Sequence, residues 1–162
     1  MIGIGPGLAR DLVRIVPLHS VSFEVPWTRG AFESLMTSPG VFLLKAFDEA
    51  TSDPEDDLKG FVLVRIVADE AEILSIAVDP QHYGKRIGEQ LMQAAAAHAL
   101  GLGAVSLFLE VAEDNASARR LYERLGFETV GRRPDYYTRG KGRIAGLSMR
   151  LDLPKTLILK RL

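Results

Sequence analysis

A mixed α/β (α+β) fold, with a central sheet of mixed strand direction flanked by helices, is predicted by three features of the chain. Residues 41–47 and 60–67 are apolar runs joined by an acidic stretch, the pattern of a hairpin. Residues 73–78 and 105–111 are short apolar runs rich in β-branched residues, as inner strands are. Each of these two is followed by a segment of helical periodicity, so strands alternate with crossing helices after the first strand pair. At 162 residues the expectation is one domain, 1–162, with a core of about residues 8–151 and a short tail, 152–162.

Taken in order, the Gly-rich residues 1–7 read as a loose start. Residues 8–16 carry Leu12, Val13 and Val16 at helical offsets but are also β-branched, so a short strand with a turn and a short helix both fit. Thr28 is placed to cap a helix whose apolar face is Ala31, Phe32, Leu35 and Met36. Trp27, the only tryptophan, precedes it and is read equally as a core anchor or as the wall of a substrate groove. Ser38, Pro39 and Gly40 make a turn into the strand 41–47. Residues 48–59, DEATSDPEDDLK, read as a solvated hairpin loop, the alternative being attraction of a basic substrate.

The strand 60–67 turns at Asp69 and Glu70 into 73–78, where Glu72, Leu74, Ile76 and Val78 share a face by the two-residue period. Asp79-Pro80 ends that strand, and a loop with Gly84 and Gly88 beside Lys85 and Arg86 delivers a helix from Ile87, with Ile87, Leu91, Ala95 and His98 on its inner row. The first N–H groups of such a helix lack internal partners and carry partial positive charge, so this loop suits a phosphate. Gly101 and Gly103 stop the helix.

In the strand 105–111, Val105, Leu107, Leu109 and Val111 lie on one face and Ser106, Phe108 and Glu110 on the other. A carboxylate on a half-buried strand must find a partner, reach water or hold its proton more tightly, which makes Glu110 a candidate for a chemical role. Asn115 can cap the next helix, with Ala118, Leu121, Tyr122 and Leu125 inward and Gly126 as its stop. Residues 127–130 then read as a strand, 132–137 as a loop with paired tyrosines, Tyr136 and Tyr137, and 144–151 as the last strand. The tail, LPKTLILKRL, reads as packing on the domain or on a partner.

Composition narrows the function classes. Apolar residues make up 47% and charged residues 25%, a globular balance. Twenty Lys and Arg against 21 Asp and Glu leave a net charge of −1, which disfavours nucleic acid as a partner. There is no cysteine, and His19, His82 and His98 show no ligand spacing, so no metal site is expected. No segment approaches the ~20 apolar residues of a spanning helix, and the expectation is a cytoplasmic protein with no membrane partner.

The stretch LSIAVDPQHYGKRIGEQLM resembles the acetyl-CoA-binding motif of the GNAT acetyltransferases, Q/R-x-x-G-x-G/A after a strand ending in an apolar residue, Asp and Pro. Tyr83 stands where the family has Gln or Arg, Arg86 where it has the first Gly, and Gly88 on the second. The segments VPWTRGAF, LEVAEDNASARRLYERLGF and RRPDYY extend the resemblance over roughly residues 20–150, toward the RimI branch of N-terminal acetyltransferases that act on a bacterial ribosomal protein. Gly142-Arg143 is followed by Ile144-Ala145, where that branch commonly has an acidic pair.

The resemblance implies a GNAT fold and attack of a neutral amine on the thioester of acetyl-CoA, with no metal. It implies Glu110 as general base, Glu72 being a second possible base beside the acceptor, and Tyr122 as the acid for the departing thiolate. Ile76, Ala77 and Val78 would line the pantetheine, with the Val78 amide as oxyanion donor. Gly84, Lys85, Arg86, Ile87, Gly88 and Glu89 would surround the pyrophosphate, and Asn115 would also contact the cofactor. Trp27, Tyr136 and Tyr137 would wall the acceptor groove. The acceptor implied is a protein N-terminus, with a ribosomal protein among the candidates; a small-molecule amine N-acetyltransferase and a catalytically weak acyl-CoA-binding module are the alternatives.

Overall fold

The computed structural model describes residues 1–51 and 57–153. Most of the acidic stretch and the tail after Leu153 lie outside those residues. The described chain runs β1 (Ile2–Pro6), α1 (Leu12–Ser22), α2 (Arg29–Met36), β2 (Val41–Asp48), β3 (Leu58–Val67), β4 (Glu70–Val78), α3 (Ile87–Gly101), β5 (Ser106–Ala112), α4 (Ala116–Arg124), β6 (Glu128–Arg139) and β7 (Gly142–Asp152). The sheet has seven strands in the order β1-β2-β3-β4-β5-β7-β6. β4 and β5 pair in parallel, whereas β1–β2, β2–β3, β5–β7 and β6–β7 pair antiparallel, which is the mixed sheet predicted. Among the described residues no helix is long and apolar enough to cross a membrane.

The chain forms two compact units, Met1–Arg65 with Leu74–Ala95, and Ile66–Ile73 with Ala96–Leu162. In the first, the predicted loose start is instead a strand, β1, antiparallel to β2. Its glycines are what hid it. A Cβ at Gly3 would stand 2.9 Å from both the Phe47 ring and Glu49, so glycine lets the strand lie close over that ring. The open choice at residues 8–16 resolves to helix: Ala9–Asp11 is a 3-10 turn leading into α1, which carries Pro17 inside it. Proline and β-branched residues weaken the local helical signal, and burial of Leu12, Ile15 and Leu18 overrides it.

Thr28 caps α2 by accepting from the Ala31 N–H at 3.1 Å, as predicted. Both helices pack on a core of Leu12, Ile15, Leu18, Phe32, Leu43, Phe61, Leu63 and Ala77. Beneath α1 a buried pair joins helix to sheet: Lys45 Nζ on β2 lies 2.8 Å from the Asp11 carboxylate, whose other oxygen accepts from the Leu8 N–H at 2.7 Å. On α3, Ile87, Leu91 and Ala95 are buried, but His98 is exposed and Ala99 is buried instead, one turn beyond Ala95.

In the second unit β5 buries Leu107, Leu109 and Val111, while Val105, outside the strand, is exposed. Asn115 caps α4, accepting from the Ala118 N–H at 3.3 Å, and Gly126 follows the helix at φ 101°. Residues 132–137 are not a loop. They belong to β6, which pairs with β7 on both sides of an irregularity between Arg133 and Tyr137. Pro134, which lacks an N–H, and Asp135, at φ 54°, give that segment its local turn character, and pairing on either side carries the strand through.

Candidate active site

The first unit supplies the end of β4 and a phosphate-suited loop. Along β4, Ala71, Ile73, Ser75 and Ala77 are buried and Glu72, Leu74, Ile76 and Val78 half-buried, so the predicted row does share one face. Asp79 ends the strand, its N–H bonding the Lys59 carbonyl at 2.8 Å and its carboxylate capping the turn at Gln81 N, 2.9 Å. Gly84 sits at φ 81° and Arg86 at φ 61°, two left-handed residues in one short loop. The Arg86 carbonyl accepts from the Gln90 N–H at 3.1 Å and so opens α3. The first amides of α3, those of Ile87, Gly88 and Glu89, have no carbonyl partner within the helix, as at any helix start. Three donors at a positive helix end fit an anionic phosphate.

Trp27 is half-buried and joins an aromatic stack. Its ring centroid is 4.9 Å from that of His19, and its backbone N–H donates to His19 Nδ1 at 3.2 Å. His19 is 1% exposed and stacks on Phe23 as well. Burial lowers its pKa below the ordinary 6.5.

The second unit gathers the proton-handling groups. Glu110, on β5, is directly opposite Ser148 of β7, whose hydroxyl donates to Oε1 at 2.7 Å. Arg133 Nε, from β6, lies 3.3 Å from the same oxygen. Oε2 is buried and has no hydrogen-bond partner among the described residues. Tyr122 on α4 is buried against Phe127, its ring 5.8 Å away, and burial pushes its phenol up to about 12. Tyr137 is also pushed up to about 12, first by burial and next by the negative charge of Glu110, with Tyr136 and Tyr122 adding smaller effects. A Cβ at Gly146 would stand within 3.2 Å of Glu110 Oε2, Tyr136 and Tyr137, which sets those three side chains around one glycine. Tyr136 and Tyr137 meet edge to face at 5.0 Å, with Arg133 over the former ring and Arg139 over the latter. Asn115 spends its side-chain oxygen on the α4 cap. Glu72 is half-buried on β4, in register with Phe108. No group of three or more acids and histidines among the described residues could hold a metal ion.

Residues 12–127 match the family described as Acetyltransferase (GNAT) family. The chain belongs to the GNAT acetyltransferases. Among curated relatives, a putative [ribosomal protein bS18]-alanine N-acetyltransferase of Bacillus subtilis is 31% identical over 129 residues, 79% of this chain and 82% of that protein. The [ribosomal protein bS18]-alanine N-acetyltransferase of Haemophilus influenzae is 32% identical over 136 residues, 83% and 86% of the two chains. The crystal structure of the ribosomal-protein-S18-alanine N-acetyltransferase from Escherichia coli superposes with a TM-score of 0.85 at 27% identity, covering 94% of each chain. This GNAT protein is thus an N-acetyltransferase similar to the RimI branch.

Three residues beside Glu110 were not singled out by the sequence: Arg133, Gly146 and Ser148. Ser148 lies 38 residues from Glu110, and only the β5–β7 register brings them together. The two-residue period could have put Gly146 and Ser148 on one face of β7, but not beside Glu110.

Proposed function

We propose that this protein is a cytoplasmic acetyl-CoA-dependent N-acetyltransferase whose acceptor is the α-amino group of a protein N-terminus, the bS18-type alanine terminus being the first candidate. The observation that carries the reading is the presence in one unit of a carboxylate, Glu110, whose Oε2 has no partner among the described residues and faces the same glycine as Tyr136 and Tyr137, and of a buried phenol that keeps its proton, Tyr122. Acetyl-CoA supplies the thioester carbonyl. In this reading the end of β4, half-buried at Ile76 and Val78 and buried at Ala77, takes its pantetheine arm. The first amides of α3 at Ile87, Gly88 and Glu89, with Gly84, Lys85 and Arg86, take its phosphates, and Asn115 adds a contact.

The chemistry follows from the proton inventory. A C–N bond forms and the C–S bond breaks; the amine loses a proton and the thiolate gains one. Glu110 receives the first, directly or through one water, and Tyr122 delivers the second, being fully protonated at neutral pH. The α-amino group suits one carboxylate base. Its pKa is about 7.7–8.0 against about 10.4 for lysine, so baring its lone pair at neutral pH costs about 3–4 kcal/mol less. Trp27, Tyr136 and Tyr137, with Glu72, are assigned to the acceptor, aromatic rings giving contact area at small entropic cost.

Acetyl transfer from acetyl-CoA to a panel of Ala-started peptides, Lys-containing peptides blocked at the N-terminus and small primary amines tests the assignment. Ala-started peptides are expected to be the best acceptors, with turnover falling about 10² to 10⁴-fold in Glu110→Gln and in Tyr122→Phe. Only the first variant is expected to recover as the pH rises and the amine bares itself. Preference for a small amine would replace the acceptor, and bound but unturned acetyl-CoA would leave a binding module.

A further inference from the structure

The two oxygens of Glu110 are treated differently by β7. Because Glu110 and Ser148 are directly opposed in an antiparallel ladder, their side chains share a face and come into contact. The Ser148 hydroxyl donates to Oε1 at 2.7 Å, a short bond as donation to a carboxylate should be. Arg133 approaches the same oxygen, but its side chain is 61% exposed, so water competes for it and it orients the carboxylate weakly. Gly146, two residues along β7, is on the same face. A Cβ there would stand 3.1 Å from Oε2, 2.9 Å from Tyr136 and 3.2 Å from Tyr137. Glycine therefore keeps side-chain bulk off the second oxygen, and no donor of the described residues reaches it.

A free carboxylate turns readily about its last torsion, which is broad and roughly two-fold, and presents either oxygen. Ser148 removes that choice. We infer that Ser148 is the positioning residue of the proton-accepting carboxylate, its hydroxyl fixing Oε1 while Gly146 leaves Oε2 as the oxygen that takes the amine proton. The serine proton stays on its own oxygen throughout; the transferred proton leaves the acceptor nitrogen for Oε2. This inference rests on Glu110 being the base.

The charged and titratable groups around the carboxylate are Arg133, Tyr136 and Tyr137 from β6, with Tyr122 of α4 in the same unit. All stay in place in Ser148→Ala, Ser148→Thr and Glu110→Gln, so differences among these variants report on the serine contact. Turnover is expected to fall about tenfold in Ser148→Ala, with the KM for acetyl-CoA unchanged, and to return in Ser148→Thr, which keeps the hydroxyl. In a Glu110→Gln background the same serine change should cost less than about twofold, since the group it positions is gone. Equal losses in both backgrounds, or no recovery in Ser148→Thr, overturn the inference. Loss of turnover in Glu110→Gln without loss in Ser148→Ala overturns it alone, whereas a silent Glu110→Gln overturns the base assignment with it.

Discussion

Arg86 holds a left-handed backbone, φ 61°, at the position where GNAT proteins have the first glycine of their loop. For an L-residue that conformation costs about 1–2 kcal/mol. Replacing it with glycine removes the cost but adds about 0.5–1 kcal/mol of unfolded-chain entropy. The Arg86 side chain is exposed, so little packing goes with it. The net expectation for Arg86→Gly is a gain of about 0.5–1 kcal/mol, or ~1–4 °C in Tm for a chain of this length. Arg86→Ala keeps the strain and loses only the guanidinium, so it should not stabilise. Binding separates the same two contributions. The arginine already places the backbone where glycine would, so both variants should weaken acetyl-CoA binding equally, by about two- to tenfold, through the lost charge alone. Urea denaturation and titration calorimetry on the three proteins decide. Tighter binding in Arg86→Gly than in the parent would mean that the arginine obstructs the loop, and an unchanged Tm would mean that its backbone is unstrained.

Three further outcomes are expected. Lys45→Met should cost about 3–5 kcal/mol in denaturant, because it strands the buried Asp11 carboxylate; a loss under about 1 kcal/mol would mean that water reaches the pair. His19 is held neutral by burial, so its contribution to stability is present above its ordinary pKa of 6.5 and is lost on acidification; between pH 7 and 5 the decline followed by the fluorescence of Trp27, which stacks on it, should be shallower in His19→Gln. Tyr122 and Tyr137 act at the other end: with their phenols raised from 10 to about 12, the stability they lend is whole below pH 10 and lost as pH climbs through 12. Phenylalanine at either position should flatten the alkaline decline, and an identical decline would contradict the burial of that phenol.

How much of this was legible in the sequence depends on how locally each feature is encoded. The Thr28 and Asn115 caps, the Glu72–Val78 row and the β5 alternation from Leu107 to Val111 are set by neighbours within a few residues, and each appears where the spacing put it. β1 and the middle of β6 did not, since Gly3, Gly5 and Pro134 oppose strand locally and only pairing with β2 and β7 holds them extended. The cofactor loop is the more instructive case. Two of its three motif residues differ from the family, and Arg86, where the family has a glycine, holds a left-handed φ of 61°, a conformation that glycine adopts without strain. Glu110 stands at the opposite limit: strand alternation could mark it as an acid needing a partner, but not name Ser148, because that contact spans 38 residues and exists only through the register of β5 on β7. Local chemistry thus nominates the groups of such a site, and long-range register decides which oxygen of them is free to react.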